Sequence, residues 1–576
     1  MLSRRYVFGL AAATFALLTA SAWAEDWPLG RFDCAGSGFT RESITTPLVH
    51  SWQYNTYRAG RNPAAPVVAG RILYFSGGDQ LVALDAESGA LKWKFPADQP
   101  LTGTIKASPA VYGDIVYVAS TDNNLYALNA ADGILKWTYP TGGAIRSSLA
   151  VSERTIFFGS DDNSLHAVDA DTGETAWRGP FATKDDVAIP PAVGSGYVVF
   201  VASDGTMYGA NAGSGAMRWD YRLPLIPSRS APVISSEVVY IAAGSNLYAI
   251  GLKTGRLRWV TPFSTEIAAG PTVAEQIDSD GESPAGPVIY VITRNKKLYA
   301  LSSNGKARWP EPVDLPYTSS VAPTVAFKTV IVASDRGAVF AYSTAGELMW
   351  SYAVLPANFT STGGYTAVSS SPVVAGKRLY VVTEDGALHC FDSDMPDNSP
   401  PEAFALTPTR SLEMSGSPPI SVSAVIFDLG SGVNKSSIEL SVDGGAVESS
   451  YDPTTSTVSY TTTEKSTPRI LPDGRHQLAL KARDWSGNLL TETWSFVVDN
   501  RLRPPTPPKP AAVEKPAADK QKTGRWRRTP PQTTPTPTTP TAPGPSPYSG
   551  GPTPTPPPPP PQPGGPYYES PAPPPP

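Results

Sequence analysis

Between residues 25 and 398 the chain is a series of short apolar runs separated by turn residues. Ile115–Val118 is one such run, and its β-branched and aromatic side chains are typical of a strand because they pack well on a pleated surface. The next run, Leu125–Asn129, is followed by Asp132-Gly133, a pair that suits the positive φ of a tight hairpin. No segment shows sustained helical periodicity, so the pattern predicts an all-β protein.

This group of short runs occurs eight times, and eight tryptophans recur along the same region at a similar spacing. The spacing of about 40 to 50 residues is the length of four short strands with their turns. Eight copies in the same order predict an eight-bladed β-propeller over residues 25–398. The tryptophans are Trp52, Trp93, Trp137, Trp177, Trp219, Trp259, Trp309 and Trp350. The units open near Val67, Val111, Val151, Val193, Val233, Val273, Val325 and Val373.

The two ends of the repeat region are unequal, and this predicts how the ring closes. Trp52 precedes the first unit, and the last unit, Leu388–Asp392, has no tryptophan of its own. We therefore expect the strand around residues 49–54 to complete the eighth blade as its outer strand, which removes a free sheet edge. The closure would bring Cys34 within reach of Cys390, so a disulfide is predicted, with two unrelated thiols as the alternative.

The sequence changes character after the propeller. Residues 401–500 contain short alternating runs separated by glycine-rich turns, which predicts a β-sandwich, and Asp484-Trp485-Ser486-Gly487-Asn488 resembles bacterial Ig-like surface domains. Such domains usually serve as spacers or adhesion modules. Residues 501–576 are rich in proline and are predicted to be disordered. A basic cluster at residues 515–528 suits binding to cell wall or surface polymer, with a solubilising linker as the alternative.

The start of the chain and its charge bear on location. Residues 1–24 are typical of a signal peptide, with Arg4 and Arg5 before a short apolar run and Ala22-Trp23-Ala24 at the cleavage position. Either general secretion or twin-arginine export fits, so an exported protein of the periplasm or cell surface is predicted. No later segment is apolar enough to span a membrane. The net charge of -5 gives no reason to expect nucleic acid.

The spacing Ala83-x-Asp85-x-x-x-Gly89-x-x-x-Trp93, repeated around Trp177, resembles the tryptophan-docking motif of the PQQ-dependent alcohol dehydrogenase superfamily. The resemblance implies that each tryptophan packs on the neighbouring blade. Catalytic members carry their site on long insertions, with calcium, an aspartate base and often a disulfide of adjacent cysteines. This chain has nearly minimal blades, no adjacent cysteines and no c-type haem motif. We therefore expect no enzyme activity, no catalytic residues and no cofactor.

The chain resembles more closely the BamB family, non-catalytic propellers of outer-membrane protein assembly. In that family an apolar loop ending in arginine contacts the partner protein, and residues 223–232 look similar. The resemblance makes Leu223, Leu225 and Arg229 candidate partner-binding residues; alternatively, the leucines of a connecting loop cover the core. Lys106 and Arg146 hold comparable positions in other blades and could form a basic rim, unless they are solvated or paired with aspartates.

Other chemistries find little support. The four histidines are widely separated and show neither zinc-ligand spacing nor a triad. Asp278–Glu282 faintly resembles a calcium loop but lacks the later ligands, so an acidic loop is the better interpretation and no metal is expected. The prediction is a non-catalytic scaffold of the cell envelope that binds a protein partner, an outer-membrane assembly component for instance. A PQQ-dependent dehydrogenase and a surface adhesin or polysaccharide-binding protein remain alternatives.

Overall fold

The computed structural model describes residues 26–56, 63–227, 230–275, 286–354, 366–463, 465–466 and 470–503. The secondary structure of these residues consists of strands joined by turns and bends. In this part of the chain, no helix has the length and apolarity needed to cross a membrane. The predicted signal peptide and residues 504–576 of the proline-rich tail lie outside the described residues, so both stay predictions.

Eight sheets of four antiparallel strands follow one another along the chain, which confirms the predicted propeller. The seventh sheet has a fifth strand, Phe39–Thr40, which pairs parallel with Thr324–Ala326. We number the sheets as blades 1 to 8 and give the strands of each blade in order, from the inner strand at the ring axis to the outer strand. Blades 1 to 4 consist of Val67–Ala69, Ile72–Ser76, Leu81–Asp85 and Leu91–Phe95; Ala110–Tyr112, Ile115–Ala119, Asn124–Asn129 and Leu135–Pro140; Ala150–Ser152, Thr155–Ser160, Ser164–Asp169 and Phe181–Ala182; and Ala192–Gly194, Tyr197–Val201, Thr206–Asn211 and Met217–Arg222. Blades 5 to 8 consist of Val233–Ser235, Val238–Ala243, Asn246–Gly251 and Leu257–Pro262; Thr272–Ala274, Val288–Thr293, Lys297–Ser302 and Val313–Asp314; Thr324–Ala326, Thr329–Ala333, Ala338–Ser343 and Leu348–Ala353; and Val373–Ala375, Arg378–Val382, Ala387–Asp392 and Val49–Asn55.

The ring closes as the sequence predicts. Val49–Asn55 is the outer strand of blade 8 and pairs antiparallel with Ala387–Asp392, with Trp52 opposite Cys390. Blades 8 and 1 are then joined by the Tyr380 hydroxyl, which donates to the carbonyl of Ala86 at 2.9 Å. The first and last sheets therefore meet like any other neighbouring pair, and the ring leaves no gap at the point where the repeat begins.

At most positions around the ring, a glycine and a tryptophan join one blade to the next. In blade 2, Gly133 has a φ of +76°, a left-handed value that glycine adopts readily. A Cβ there would lie 2.5 Å from the ring of Trp93, which belongs to blade 1. The indole N–H of Trp93 donates to the carbonyl of Ala130 at 3.1 Å. The docking implied by the resemblance is therefore confirmed, and it excludes a side chain at the glycine.

The same contact recurs around the ring. The tryptophan–glycine pairs are Trp52 with Gly89, Trp137 with Gly173, Trp177 with Gly215, Trp219 with Gly255 and Trp259 with Gly305. In blades 3 and 6 the docked residue precedes the short outer strand instead of lying within it. Trp177 and Trp309 nevertheless donate to the carbonyls of Ala212 and Thr344 in the next blade. The contact between blades thus survives local changes in strand length.

The N-terminal segment, residues 26–42, follows a path that the sequence does not predict. It travels round the ring axis and accepts hydrogen bonds from the inner strands of successive blades, because these strands turn an unpaired edge toward the axis. The donors are the amides of Val68, Val111, Val193, Ile234, Val273 and Val325, and the acceptors are the carbonyls of Trp27, Pro28, Cys34, Ala35, Ser37 and Gly38. The Glu42 carboxylate then accepts the amides of Gly376 and Lys377 in blade 8.

The predicted disulfide is wrong, because both cysteines are free thiols. Cys34 belongs to the N-terminal segment and its carbonyl accepts the amide of Val193 in blade 4. Cys390 is buried in blade 8, on a strand flanked by Trp52 and Tyr380. Ring closure brings Val49–Asn55 to blade 8, whereas Cys34 lies earlier in the chain and is still beside blade 4.

The residues after the propeller form a β-sandwich of two sheets around a separate core. Trp494 and Phe496 lie in that core. The sandwich agrees with the predicted architecture for residues 401–500, while the Ig-like assignment stays a prediction. One sheet contains Glu402–Thr407, Ser421–Phe427, Thr457–Thr461 and Ser450–Asp452, in that order. The other contains Glu413–Met414, Leu489–Val498, Gly474–Asp484, Val433–Val442 and Gly445–Val447.

Two tryptophans join the sandwich directly to the propeller. Trp350 of blade 7 donates its indole N–H to the carbonyl of Ser431 in the sandwich at 2.8 Å. In the other direction, Trp485 donates to the carbonyl of Ser351 at 3.1 Å. Because the two bonds cross the same interface in opposite directions, the sandwich packs on blade 7 rather than standing away from it as a spacer would.

Candidate functional site

A cavity of about 370 Å³ lies on the propeller axis. Its wall consists of the eight loops that lead into the inner strands, and its floor is part of the N-terminal segment, from Leu29 to Gly36. The loops contribute mainly alanine, serine, glycine and proline. Small side chains at these positions leave space where eight chain segments converge, so the Pro-Val and Ala-Val openings of the repeat are what form the cavity.

Arg31 provides a positive charge on the cavity floor. One terminal nitrogen, Nη2, donates to the carbonyl of Pro271 at 2.9 Å and to the hydroxyl of Thr272 at 3.1 Å. Burial lowers the pKa of Arg31 to about 10, an effect that the nearby Asp33 carboxylate opposes. A pKa of about 10 keeps the guanidinium charged at neutral pH. The sequence analysis missed this residue, because nothing in the repeat pattern covers the segment before the first blade.

The two predicted basic residues have different surroundings. Lys106 is exposed and lines the cavity. Arg146 is exposed and forms an ion pair with Asp161. The alternative of pairing with an aspartate therefore holds for Arg146, and Lys106 is the one of the two that lines the cavity.

The apolar loop predicted to bind a partner connects blade 4 to blade 5. Leu223 is 3% exposed and belongs to the core between these blades, so it cannot be an exposed contact residue, and that part of the prediction is corrected. Leu225 and Ile226 are 54% and 57% exposed. Arg229 lies outside the described residues. The loop thus divides into one residue that anchors it and two that present apolar surface.

Tight glycine turns support the two exposed residues. The Leu225 side chain lies over Gly244, where a Cβ would be 2.4 Å from its Cδ1. Ile226 lies over Gly205, with 3.4 Å between its Cγ1 and the position of a Cβ. Both glycines have positive φ values. The turns of blades 4 and 5 therefore form a firm base beneath Leu225 and Ile226. Sequence reasoning singled out Leu225 but not Ile226.

Three carboxylates meet where the sandwich joins the propeller. Asp397, Asp428 and Asp484 place one oxygen each within 4.8 Å of one another. Burial, followed by repulsion from the other two carboxylates, raises the pKa of Asp428 to about 7, although the Gly432 amide donates to it. Oxygen ligands of this kind suit Ca²⁺. The sequence analysis missed the group because its members are far apart in the chain.

Histidines that are distant in the sequence also meet in the fold. His50 Nε2 and His389 Nδ1 lie 3.3 Å apart in blade 8. Burial lowers the pKa of His50 to about 4, and burial together with the charge of His50 lowers the pKa of His389 to about 3. Both rings are therefore neutral at neutral pH. His50 lies on the outer strand of blade 8 and His389 on the strand beside it, so the two rings pack against each other within the blade.

The fold and the cavity define a propeller of the PQQ-like repeat class. Residues 49–149, 140–275 and 227–404 match the family described as outer membrane protein assembly factor BamB. The matched region, residues 49–404, is more than half of the chain. The chain belongs to this family.

Individual relatives agree with the family match but cover less. BamB of Moranella endobia is 29% identical over 137 residues, which are 22% of this chain and 32% of that protein. BamB of Yersinia pestis is 30% identical over 132 residues, with coverage of 22% and 32%. The chain thus spans about a third of the length of the curated relatives it matches.

Solved structures describe the fold. BamB from Moraxella catarrhalis has a TM-score of 0.46 and 16% identity, over 60% of this chain and 99% of that chain. The quinohemoprotein alcohol dehydrogenase ADHIIG from Pseudomonas putida has a TM-score of 0.50 and 14% identity, over 67% and 84%. Because a dehydrogenase with so little sequence identity has a similar fold, the fold alone does not decide between scaffold and enzyme.

Proposed function

We propose that this protein is a non-catalytic scaffold of the cell envelope that binds a protein partner, as the name of its family suggests. The observation that carries the proposal is the exposed pair Leu225 and Ile226. Apolar side chains held outward on a firm base are suited to anchor an interface, because burying them on binding releases water and costs little ordering. The blade loops are short, so little chain remains for the insertions on which dehydrogenases of this fold build their site.

The remaining domains fit this role. Residues 1–24 direct export, and the propeller at 25–398 binds the partner, an outer-membrane assembly component. In the chain, the sandwich at 401–500 lies between the propeller and the proline-rich tail at 501–576, which would bind cell wall or surface polymer. Export would place the partner-binding loop in the periplasm or at the cell surface, where such a partner is found.

The test is crosslinking in the native envelope followed by purification of the protein with its bound partner. The double variant Leu225→Asp with Ile226→Asp removes the apolar pair and should lose the crosslinked partner. Met217→Asp is the matched control, because Met217 is 58% exposed on the outer strand of the same blade. It should keep the partner. Arg229→Glu tests the charged end of the loop and should weaken crosslinking.

Two results would contradict the proposal. If the double variant and Met217→Asp retain the same crosslinks as the unmodified protein, the loop does not bind the partner. If the purified protein oxidises alcohols or sugars when PQQ and calcium are added, it is a dehydrogenase.

A further inference from the structure

The axial cavity has the dimensions of a small-molecule site. Its volume of about 370 Å³ falls within the range of roughly 300 to 1,000 Å³ that is usual for ligand pockets. The N-terminal segment closes the floor, because its carbonyls accept the inner-strand amides of six blades. Since residues from opposite sides of the ring line the same space, a ligand in it would touch many blades at once.

The protein binds only some of the hydrogen-bond donors of Arg31 on the cavity floor. Pro271 and Thr272 bind one terminal nitrogen of Arg31 and are both neutral. Among the described residues, neither Nη1 nor Nε of Arg31 has a hydrogen-bond partner, and no carboxylate forms an ion pair with the guanidinium. A guanidinium has five N–H donors in a planar fork that matches a carboxylate. The N–H groups of Nη1 and Nε are therefore suited to bind an anion in the cavity.

Asp33 is an acidic residue that also lines the cavity, and its carboxylate is hydrogen-bonded within the N-terminal segment. Its Oδ1 accepts the amide of Ser37 at 2.9 Å. Burial raises the pKa of Asp33, while hydrogen bonds from Ser37 and the charge of Arg31 lower it. The Asp33 carboxylate therefore attracts Arg31 without forming an ion pair with it, and the remaining N–H groups of the guanidinium stay available. A buried charge without a direct counter-ion is costly, so an incoming anion would gain from pairing with Arg31.

The walls favour an organic anion over a bare inorganic ion. Alanine, proline and Ile189 supply apolar contacts, and the hydroxyls of Ser148, Ser320 and Ser370 supply polar ones. Within the described part of the chain, the Ser370 hydroxyl is buried and has no hydrogen-bond partner. Lys106 adds positive charge at the mouth.

We propose that the axial cavity binds the carboxylate of a small organic ligand, with Arg31 as its counter-ion. A carboxylate fits because a single guanidinium compensates a single negative charge. The carboxylate could belong to a free organic acid or to the C-terminal end of a peptide, and both present the same two oxygens to Arg31. The site does not depend on the partner-binding loop, since Leu225 and Ile226 do not line the cavity.

Titration calorimetry on the full purified chain tests this, with butyrate, benzoate, trialanine and trialanine C-terminal amide as probes. A carboxylate probe should bind, and the amide should bind about 10- to 100-fold more weakly than the free acid, the loss of a charged hydrogen bond. Tighter binding of trialanine would identify a peptide end as the ligand, and tighter binding of butyrate or benzoate would identify a free acid. If no carboxylate binds, or if trialanine and its amide bind equally, the proposal is overturned.

Variants connect any binding to the cavity. Arg31→Gln should weaken the carboxylate about 10- to 100-fold, while Arg218→Gln, an exposed arginine on the outer strand of blade 4, should have no effect. Because Arg31 also holds Pro271 and Thr272, Arg31→Gln could unfold the N-terminal segment. Ala188→Phe therefore provides a second test: it fills the cavity and keeps Arg31, and it should abolish binding without lowering the melting temperature. Undiminished binding to Ala188→Phe would overturn the proposal.

Discussion

The contacts between blades and the contact between blade 7 and the sandwich use the same tryptophan position in different ways. From blade 1 to blade 6, the tryptophan of one blade meets the next blade, as Trp259 does when it donates to the carbonyl of Ser303 at 3.0 Å. Trp350 donates instead to Ser431 of the sandwich and is fully buried. The tryptophan of the repeat thus makes an interblade contact in most blades and an interdomain contact in blade 7.

A residue of the repeat can therefore acquire a new partner while its position within its own blade stays the same. Trp350 pairs with Ala341 within blade 7, just as Trp259 pairs with Ala249 within blade 5. The strand position is the same, but the sandwich covers the ring of Trp350, whereas Trp259 is only partly buried. Burial, and with it the contribution to stability, is set by what lies outside the blade.

Replacement of the two tryptophans should give the largest difference. Trp350→Ala leaves a cavity in a closed interface and should cost about 3–5 kcal/mol of unfolding free energy. Trp259→Ala, at a partly exposed position, should cost about 1–3 kcal/mol. Urea unfolding measures both, and limited proteolysis should cut Trp350→Ala between propeller and sandwich. Equal losses for both variants would show that the sandwich adds nothing to Trp350.

Glycine replacement should be next in size and tests the contacts between blades. Gly133→Ala places a Cβ against Trp93 at a φ of +76°, which should cost about 2–4 kcal/mol from overpacking and backbone strain. Gly113 has a φ of +62° and open space around it, so Gly113→Ala should cost about 1 kcal/mol. The difference between their unfolding free energies isolates the tryptophan contact. An equal loss of unfolding free energy in both variants would mean that the Trp93 side chain moves aside without a cost.

A pH effect specific to the sandwich junction should be the smallest. The pKa of Asp428 is raised from 3.8 to about 7, so the folded protein binds a proton there that the unfolded chain releases. The contribution of this proton to the free energy of unfolding is complete below about pH 4 and is lost as the pH rises through about 7. The raised pKa of Asp484 acts in the same direction. The lowered pKa of Asp397 contributes stability that is lost only as the pH falls below its ordinary range.

Unfolding free energies of the intact protein, measured in EDTA from acidic to neutral pH, check this prediction. Asp428→Asn should flatten the decline, because an amide does not titrate. Asp220→Asn, an exposed position on blade 4, is the control and should leave the decline unchanged. A decline of the same slope in Asp428→Asn would assign the pH effect to other groups.

The parts of the molecule that the sequence predicts well are those built from local rules. Gly133 and Trp93 are recognisable because one turn type and one spacing recur in each unit. The closure by Val49–Asn55 is also predictable, because the last unit lacks an outer strand and one additional strand precedes the first unit. In the candidate site, Leu225 could be named from a resemblance, but its exposure and the burial of Leu223 depend on how the loop packs on blades 4 and 5.

The all-β character, the eight blades and their closure are therefore predictable from the sequence, because hairpin turns and strand alternation depend on neighbours in the chain. Three features become visible only in the folded protein: the course of residues 26–42, the separation of Cys34 from Cys390, and the contact of Arg31 with the axial loops. These features depend on hydrogen bonds and contacts between residues tens to hundreds of positions apart. No repeat records them, because each occurs only once.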